Sequence, residues 1–140
     1  MQTTVLVDSN VLLDVITADP VWGNWASDTL IRLFDNYKLA INPVIYAEIS
    51  IKFSTIEELE ETLPPNFFER LPVPYEAAFL AGKCYVKYKK LGGSKASVLP
   101  DFLIGAHACV SNMKLVTRDI SRYKTYFPTL ELITTELRTK

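Results

Sequence analysis

Thr3-Thr4-Val5-Leu6-Val7-Asp8-Ser9-Asn10-Val11-Leu12-Leu13-Asp14-Val15-Ile16 is the stretch on which the reading of the fold turns. Thr3 to Val7 is β-branched and apolar, the pattern of a short buried strand, and Asp8 ends it. From Asn10 to Ile16 the apolar residues Val11, Leu12, Val15 and Ile16 fall at helical spacing. A strand therefore runs into a helix, with an acid at the join.

The same alternation continues outward. Asp19-Pro20 marks a break and a new helix start, and Leu30, Ile31, Leu33 and Phe34 give that helix its apolar face. Lys38 to Ile41 reads as a second strand. Asn42-Pro43 then starts a helix through Ala47-Glu48-Ile49, with Asn as cap and Pro at the first helical position. Ser54 to Leu63 is a further helix, and Ser54-Thr55-Ile56-Glu57 fits a capping box. Phe67 to Leu71 is short and extended. Pro74 begins a long helix reaching Leu91, followed by the flexible Gly92-Gly93-Ser94. Pro100-Asp101 starts a helix that ends near Asn112, Lys114 to Thr117 is a strand, Ile120 to Tyr126 a helix, and Leu130 to Ile133 a last strand. Strands alternating with helices, without hairpin signals, imply an α/β fold with a parallel sheet.

With 140 residues, 49% of them hydrophobic and 22% charged, the chain suits one soluble domain over residues 1–140 with a real core. There is no repeat, low-complexity tract or linker. No apolar run approaches the roughly 18 residues of a membrane span, and Met1-Gln2-Thr3-Thr4 lacks the basic start of a signal peptide, so the sequence reads as cytoplasmic. Cys84 and Cys109 match no metal-ligand spacing and read as reduced thiols in helices. The net charge of −1 announces no polyanion partner, though carboxylates at a site would mask basic residues elsewhere.

Open α/β sheets form their sites beyond the carboxyl ends of the strands. Asp8 ends the first strand and Asp119 follows the Lys114 to Thr117 strand, so both belong to one edge. Glu48 lies in a helix among Val44, Ile45, Ala47 and Ile49, where a carboxylate is partly buried. Asp101 occupies the first turn of its helix. Taken singly, each acid has an ordinary use: Asp8 as a helix cap, Asp101 as a complement to the helix dipole, Glu48 as the partner of a buried Arg or Lys, Asp119 as a turn residue. Taken together, four carboxylates at one edge repel, and a divalent cation relieves that repulsion. Oxygen ligands suit Mg²⁺ or Mn²⁺, whose chemistry of water activation and charge neutralisation at phosphorus needs neither His nor Cys.

Four segments carry a resemblance: Val5 to Asp14, Asn42-Pro43-Val44-Ile45-Tyr46-Ala47-Glu48, Leu99-Pro100-Asp101-Phe102-Leu103-Ile104-Gly105-Ala106-His107-Ala108, and Leu115-Val116-Thr117-Arg118-Asp119. With the tail Tyr123 to Pro128 and Leu130 to Thr134, they resemble, in order and nearly end to end, the PIN-domain family and within it the VapC-like toxins of type II toxin–antitoxin pairs. The resemblance implies a three-layer α/β/α sandwich and Mg²⁺- or Mn²⁺-dependent endoribonuclease activity. It makes Asp8, Glu48, Asp101 and Asp119 the catalytic, metal-holding quartet, with Asn10 and Thr117 as supporting polar residues. It also implies an RNA substrate, a cognate antitoxin and a homodimer.

Other residues have plainer expectations. Asp14 is expected to turn to solvent, and His107 to be packed or at the surface. Trp22 and Trp25, three apart on one helix face, read equally as core and as an exposed aromatic groove. Lys83, Lys87, Lys89, Lys90 and Lys95 form a solvated charge run that adjoins Asp101, and Lys95, Arg118 and Arg122 are candidate phosphate contacts. Two other functions compete: a non-cleaving PIN-like domain that binds RNA or protein, and a phosphatase using Asp8 as nucleophile. The haloacid-dehalogenase pattern behind the latter wants a second Asp where this chain has Asn10.

Overall fold

The computed structural model describes residues 2–135; Met1 and residues 136–140, included in the single-domain reading, lie outside the described residues. Five strands form one sheet: β1 (Thr4–Val7), β2 (Lys38–Ile41), β3 (Phe68–Arg70), β4 (Lys114–Val116) and β5 (Leu132–Ile133). Their order is β3-β2-β1-β4-β5, and every pairing is parallel. The central strand β1 is covered on both faces, with Val5, Leu6 and Val7 fully buried, and its apolar run has that cause.

Seven α-helices connect the strands among the described residues: α1 (Ser9–Ile16), α2 (Gly23–Phe34), α3 (Pro43–Ser50), α4 (Ile56–Thr62), α5 (Tyr75–Lys90), α6 (Leu99–Val110) and α7 (Ile120–Tyr126). The chain steps from β1 to β2 to β3 in one direction, then returns across the sheet to β4 and continues to β5. Right-handed crossovers place α1 to α4 on one face and α5 to α7 on the other, the three-layer arrangement. Leu6, Leu12, Ile41, Ile45, Phe102, Ile104, Leu115 and Tyr123 fill the core between layers. Among the described residues no helix is long and apolar enough to cross a membrane.

Local chemistry explains the boundaries. Asp8 caps α1, its Oδ1 accepting from Ser9 N at 2.8 Å. Asn42 Oδ1 accepts from Ile45 N at 2.9 Å and caps α3, with Pro43 in the first turn. The α4 capping box is one residue later than the sequence pattern suggests. Thr55 is the extended residue, and Glu58, rather than Glu57, reaches back to Thr55 N at 3.2 Å. Asp19-Pro20 forms a turn instead of the first turn of α2, because Asp19 Oδ2 accepts from Val21 N and Trp22 N before the helix starts at Gly23. Gly92, at φ 93°, follows the C-cap of α5 in a conformation that suits glycine.

One close approach matters for the site. Gly105 on α6 faces α7, where a methyl group would overlap the Phe127 ring and meet the Tyr123 ring at 3.0 Å. The bare glycine lets α7 lie down on α6. Cys84 is buried in α5 and Cys109 half-buried in α6, and both are free thiols.

Candidate functional site

The chain leaves β1 toward β2 and leaves β4 toward β5, although β1 and β4 are neighbours. Their carboxyl ends therefore flank a crevice that neither outgoing connection fills, the usual place for a site in such a sheet. Asp8 stands at the end of β1, and its backbone N donates to Val116 O of β4 at 3.0 Å, tying the two strand ends together.

Asp8 is 3% exposed. Its Oδ2 accepts from Thr117 Oγ1 at 2.7 Å, Tyr123 Oη at 3.0 Å and Asn10 Nδ2 at 3.3 Å. Thr117 is oriented in turn, since its hydroxyl oxygen accepts from Asn10 Nδ2 at 3.2 Å and Asp119 N at 3.0 Å. Asn10 and Thr117 thus both donate to the Asp8 carboxylate and bond each other. Burial pushes the Asp8 carboxyl up to about 7, against the pull of the Thr117 hydrogen bond and with the charge of Asp101 acting in the same sense as burial.

Glu48, on α3, accepts from Ser9 Oγ at 2.6 Å. Burial raises its pKa, the Ser9 bond opposes this, and Asp101 adds to it. Asp101, in the first turn of α6, is raised by burial; the bond and charge of Arg122 and the charge of Lys95 lower it, and Asp119 raises it. Arg122 reaches Asp101 Oδ2 at 2.6 Å and stands 3.8 Å from Asp119 Oδ2. The four acids thus share one edge: Ser9 bonds both Asp8 and Glu48, Thr117 links Asp8 to the backbone of Asp119, and Arg122 reaches both Asp101 and Asp119. Among the described residues no three of His, Cys, Asp and Glu close tightly enough to ring an ion. As a donor set the edge is all carboxylate oxygen and anionic, and suits a hard divalent cation.

Several expectations change. Asp14 does not face solvent: it is 5% exposed and takes Arg118 through Nε at 2.5 Å and the second guanidinium nitrogen at 3.1 Å. A buried carboxylate needs such a partner, and the one available lies 104 residues away in sequence. Arg118 also lies over the Trp22 ring, 5.4 Å from its centroid. Its guanidinium is therefore engaged within the protein, and Lys95 and Arg122 are the cations more directly coupled to the acids. The two tryptophans divide: Trp25 enters the core, and Trp22 is half-buried beneath Arg118. His107 is packed, 2% exposed, with Nδ1 3.0 Å from Asn42 Nδ2, and burial lowers its pKa. The amide donates, so Nδ1 accepts and the ring is neutral.

Ser9 and Tyr123 belong to the site and had no role in the sequence reading. Ser9 is traceable, since it sits between Asp8 and Asn10. Tyr123 is 115 residues from Asp8 and carries no local signal. A separate cavity of about 530 Å³ is lined by Ile41, Pro43, Tyr46, Ile56 and Arg70 among others, and none of the four acids lines it.

A parallel three-layer α/β/α sheet with carboxylates gathered at its topological switch defines an acidic-site α/β class. The particular family follows from sequence: residues 5–128 match the PIN domain, and the chain belongs to that family. Comparison with curated protein sequences finds no match. Among solved structures the chain is similar to VapBC2 from Rickettsia felis bound to a promoter DNA fragment, with 23% identity, a TM-score of 0.72 and coverage of 94% of this chain and 98% of that one. It is similar to VapBC-1 from nontypeable Haemophilus influenzae, with 18% identity, a TM-score of 0.70 and coverage of 94% and 97%. A toxin–antitoxin complex from Klebsiella pneumoniae gives 21% identity, a TM-score of 0.67 and coverage of 93% and 96%. At these identities the likeness bears on the fold.

Proposed function

We propose that this protein is a Mg²⁺- or Mn²⁺-dependent endoribonuclease and the VapC-like toxin of a type II toxin–antitoxin pair. The observation that carries the reading is the gathering of Asp8, Glu48, Asp101 and Asp119 at the switch between β1 and β4, joined through Ser9, Thr117 and Arg122. Family membership and the solved complexes that share the fold support it.

The four acids would hold the metal. When bound, the ion supplies Lewis acidity to the phosphodiester and to the water that attacks it. The chain's own residues do the positioning. Thr117, Asn10 and Tyr123 orient Asp8, and Ser9 orients Glu48. Arg122, at the rim on Asp101, and the exposed Lys95 attract the RNA phosphate. The chain works as one PIN domain, forms a homodimer in the cytoplasm, and is silenced by a cognate antitoxin. An antitoxin Arg inserted among the acids would inhibit by charge-assisted pairing.

The test is cleavage-site mapping on total cellular RNA with added Mn²⁺. Wild-type protein cuts at defined sites, and Asp8→Asn loses at least about a hundredfold in rate. Persistent cutting by purified Asp8→Asn protein sinks the assignment. One observation favours a second reading, a non-cleaving RNA- or protein-binding domain: Arg122 already bonds Asp101 at the edge. Calorimetry showing RNA binding with neither Mg²⁺ nor Mn²⁺ binding selects that alternative.

A further inference from the structure

The two oxygens of Asp8 are treated differently by the protein. Oδ2 receives three donors, from Thr117, Tyr123 and Asn10. Oδ1 receives one, from Ser9 N. A carboxylate offers about four lone-pair sites, two on each oxygen, so Oδ2 is fully subscribed and Oδ1 keeps one site open. The donors are fixed: Thr117 accepts from two N–H groups, which leaves its own hydrogen for Asp8. Tyr123 is fully buried, its ring is held against Gly105, and its hydroxyl has Asp8 as acceptor.

We infer that Tyr123 is a positioning residue that occupies Asp8 Oδ2, so that Asp8 presents Oδ1 alone to a cation and the site favours Mg²⁺ or Mn²⁺ over Ca²⁺. This rests on the metal-dependent reading proposed above. The selectivity follows from coordination habits. Mg²⁺ takes near-ideal octahedra with one or two carboxylates and several waters. Mn²⁺ shares that hard-oxygen preference. Ca²⁺ takes six to eight oxygens and readily accepts both oxygens of one carboxylate. Removing the Tyr123 hydroxyl leaves Oδ2 with one short donor, Thr117, and a 3.3 Å contact from the Asn10 amide, which also serves Thr117 Oγ1; the second site on Oδ2 is then weakly held, so a larger ion can displace the amide and the carboxylate is looser for a smaller one.

The test uses calorimetric titration of the purified, metal-stripped full chain with Mn²⁺ alone and with Ca²⁺ alone, for wild type and Tyr123→Phe. The expected result is tighter binding of Mn²⁺ than of Ca²⁺ by wild type. In Tyr123→Phe Mn²⁺ weakens by about tenfold, Ca²⁺ does not weaken, and the preference narrows accordingly. An unchanged ratio of the two affinities, whether both fall or neither moves, overturns the inference. Wild type that binds neither ion overturns the metal-dependent reading itself, and this inference with it. A second measurement needs no Tyr123 variant: difference infrared spectra of ¹³C-aspartate-labelled wild type, with and without Mg²⁺, with Asp8→Asn assigning the band. A wide splitting of the two carboxylate stretches marks one-oxygen coordination and supports the inference; a narrow splitting marks two-oxygen coordination and overturns it.

Discussion

At the scale of single residues, Asp8 combines two demands that oppose each other. It is buried enough to resist ionisation, yet four hydrogen bonds prepare it to be an anion. In the metal-free protein it holds its proton to about pH 7, whereas the unfolded chain releases it near 3.8. Between those values the native state binds more protons than the unfolded state, so stability falls as pH rises from about 4 to about 7. Glu48 and Asp101, also raised, act in the same direction. The buried neutral His107 acts oppositely, removing stability as pH drops below its ordinary 6.5. Thermal unfolding of the metal-free protein from about pH 5 to about pH 8 is expected to show a decline that Asp8→Asn largely removes, with a differential of up to about 2.7 kcal/mol, accrued over the two pH units between 5 and 7. Parallel curves for the two proteins refute it. The positions of Asp8 and Asp119 after their strands and of Asp101 in a first helical turn were legible because strand ends and helix starts announce themselves locally, and Glu48 because its helix neighbours are apolar. Asp14 and Tyr123 were not, because their partners Arg118 and Asp8 come from the far side of the chain.

At the scale of elements, α3 shows how one cap serves the site. Asn42 uses its carbonyl oxygen to cap α3 and its amide to bond His107 on α6. Those helices carry Glu48 and Asp101, so one side chain ties two site-bearing elements across the sheet edge. Asn42→Ala removes the cap and leaves a buried imidazole nitrogen without its donor. The expected cost is about 2 kcal/mol, seen as a lower urea midpoint with an unchanged m-value. A loss under about 0.5 kcal/mol refutes the double role. The exposed capping box of α4 makes a useful contrast: Thr55→Ala is expected to cost only about 1 kcal/mol and to leave metal affinity untouched, because α4 holds none of the four acids. The cap of α3 was legible from Asn42-Pro43, since cap and Pro are neighbours in sequence. The α4 box was misplaced by one residue because Ser54 and Thr55, and Glu57 and Glu58, offer the same chemistry in two frames. The strands were legible as apolar runs, but β5 spans only Leu132–Ile133 and is set by pairing with β4 rather than by its own residues.

At the scale of the whole molecule, the sheet order decides where chemistry is possible. Neighbouring strands β1 and β4 send their helices in opposite directions, and the acids occupy the gap left between them. Alternation in the sequence was enough to expect a parallel sheet, because hairpin signals were missing. The order β3-β2-β1-β4-β5 was beyond it, since pairing depends on contacts between segments up to a hundred residues apart. On the proposed metal-dependent reading the folded protein is the better cation host, because the unfolded chain separates the carboxylates that the gap brings together. Saturating Mn²⁺, at about a hundred times its Kd, is expected to stabilise wild type by about 2.7 kcal/mol, read by scanning calorimetry. Asp8→Asn is expected to lose most of that gain, and an equal gain in both proteins refutes the placement of the ion at this edge.

Gly105 lies on neither strand end and touches no acid, yet it sets how near α7 comes to the sheet. The missing methyl group is what seats the Tyr123 and Phe127 rings against α6, and Tyr123 in turn ends on Asp8. Substitutions at positions 105 and 123 are therefore not independent. Bulk added at 105 collides with the Phe127 ring and crowds the Tyr123 ring, so it is expected to disturb the same hydroxyl contact that Tyr123→Phe removes. The molecule carries a built-in epistasis in which a packing position on the back of the sheet constrains which residues at 123 are worth having.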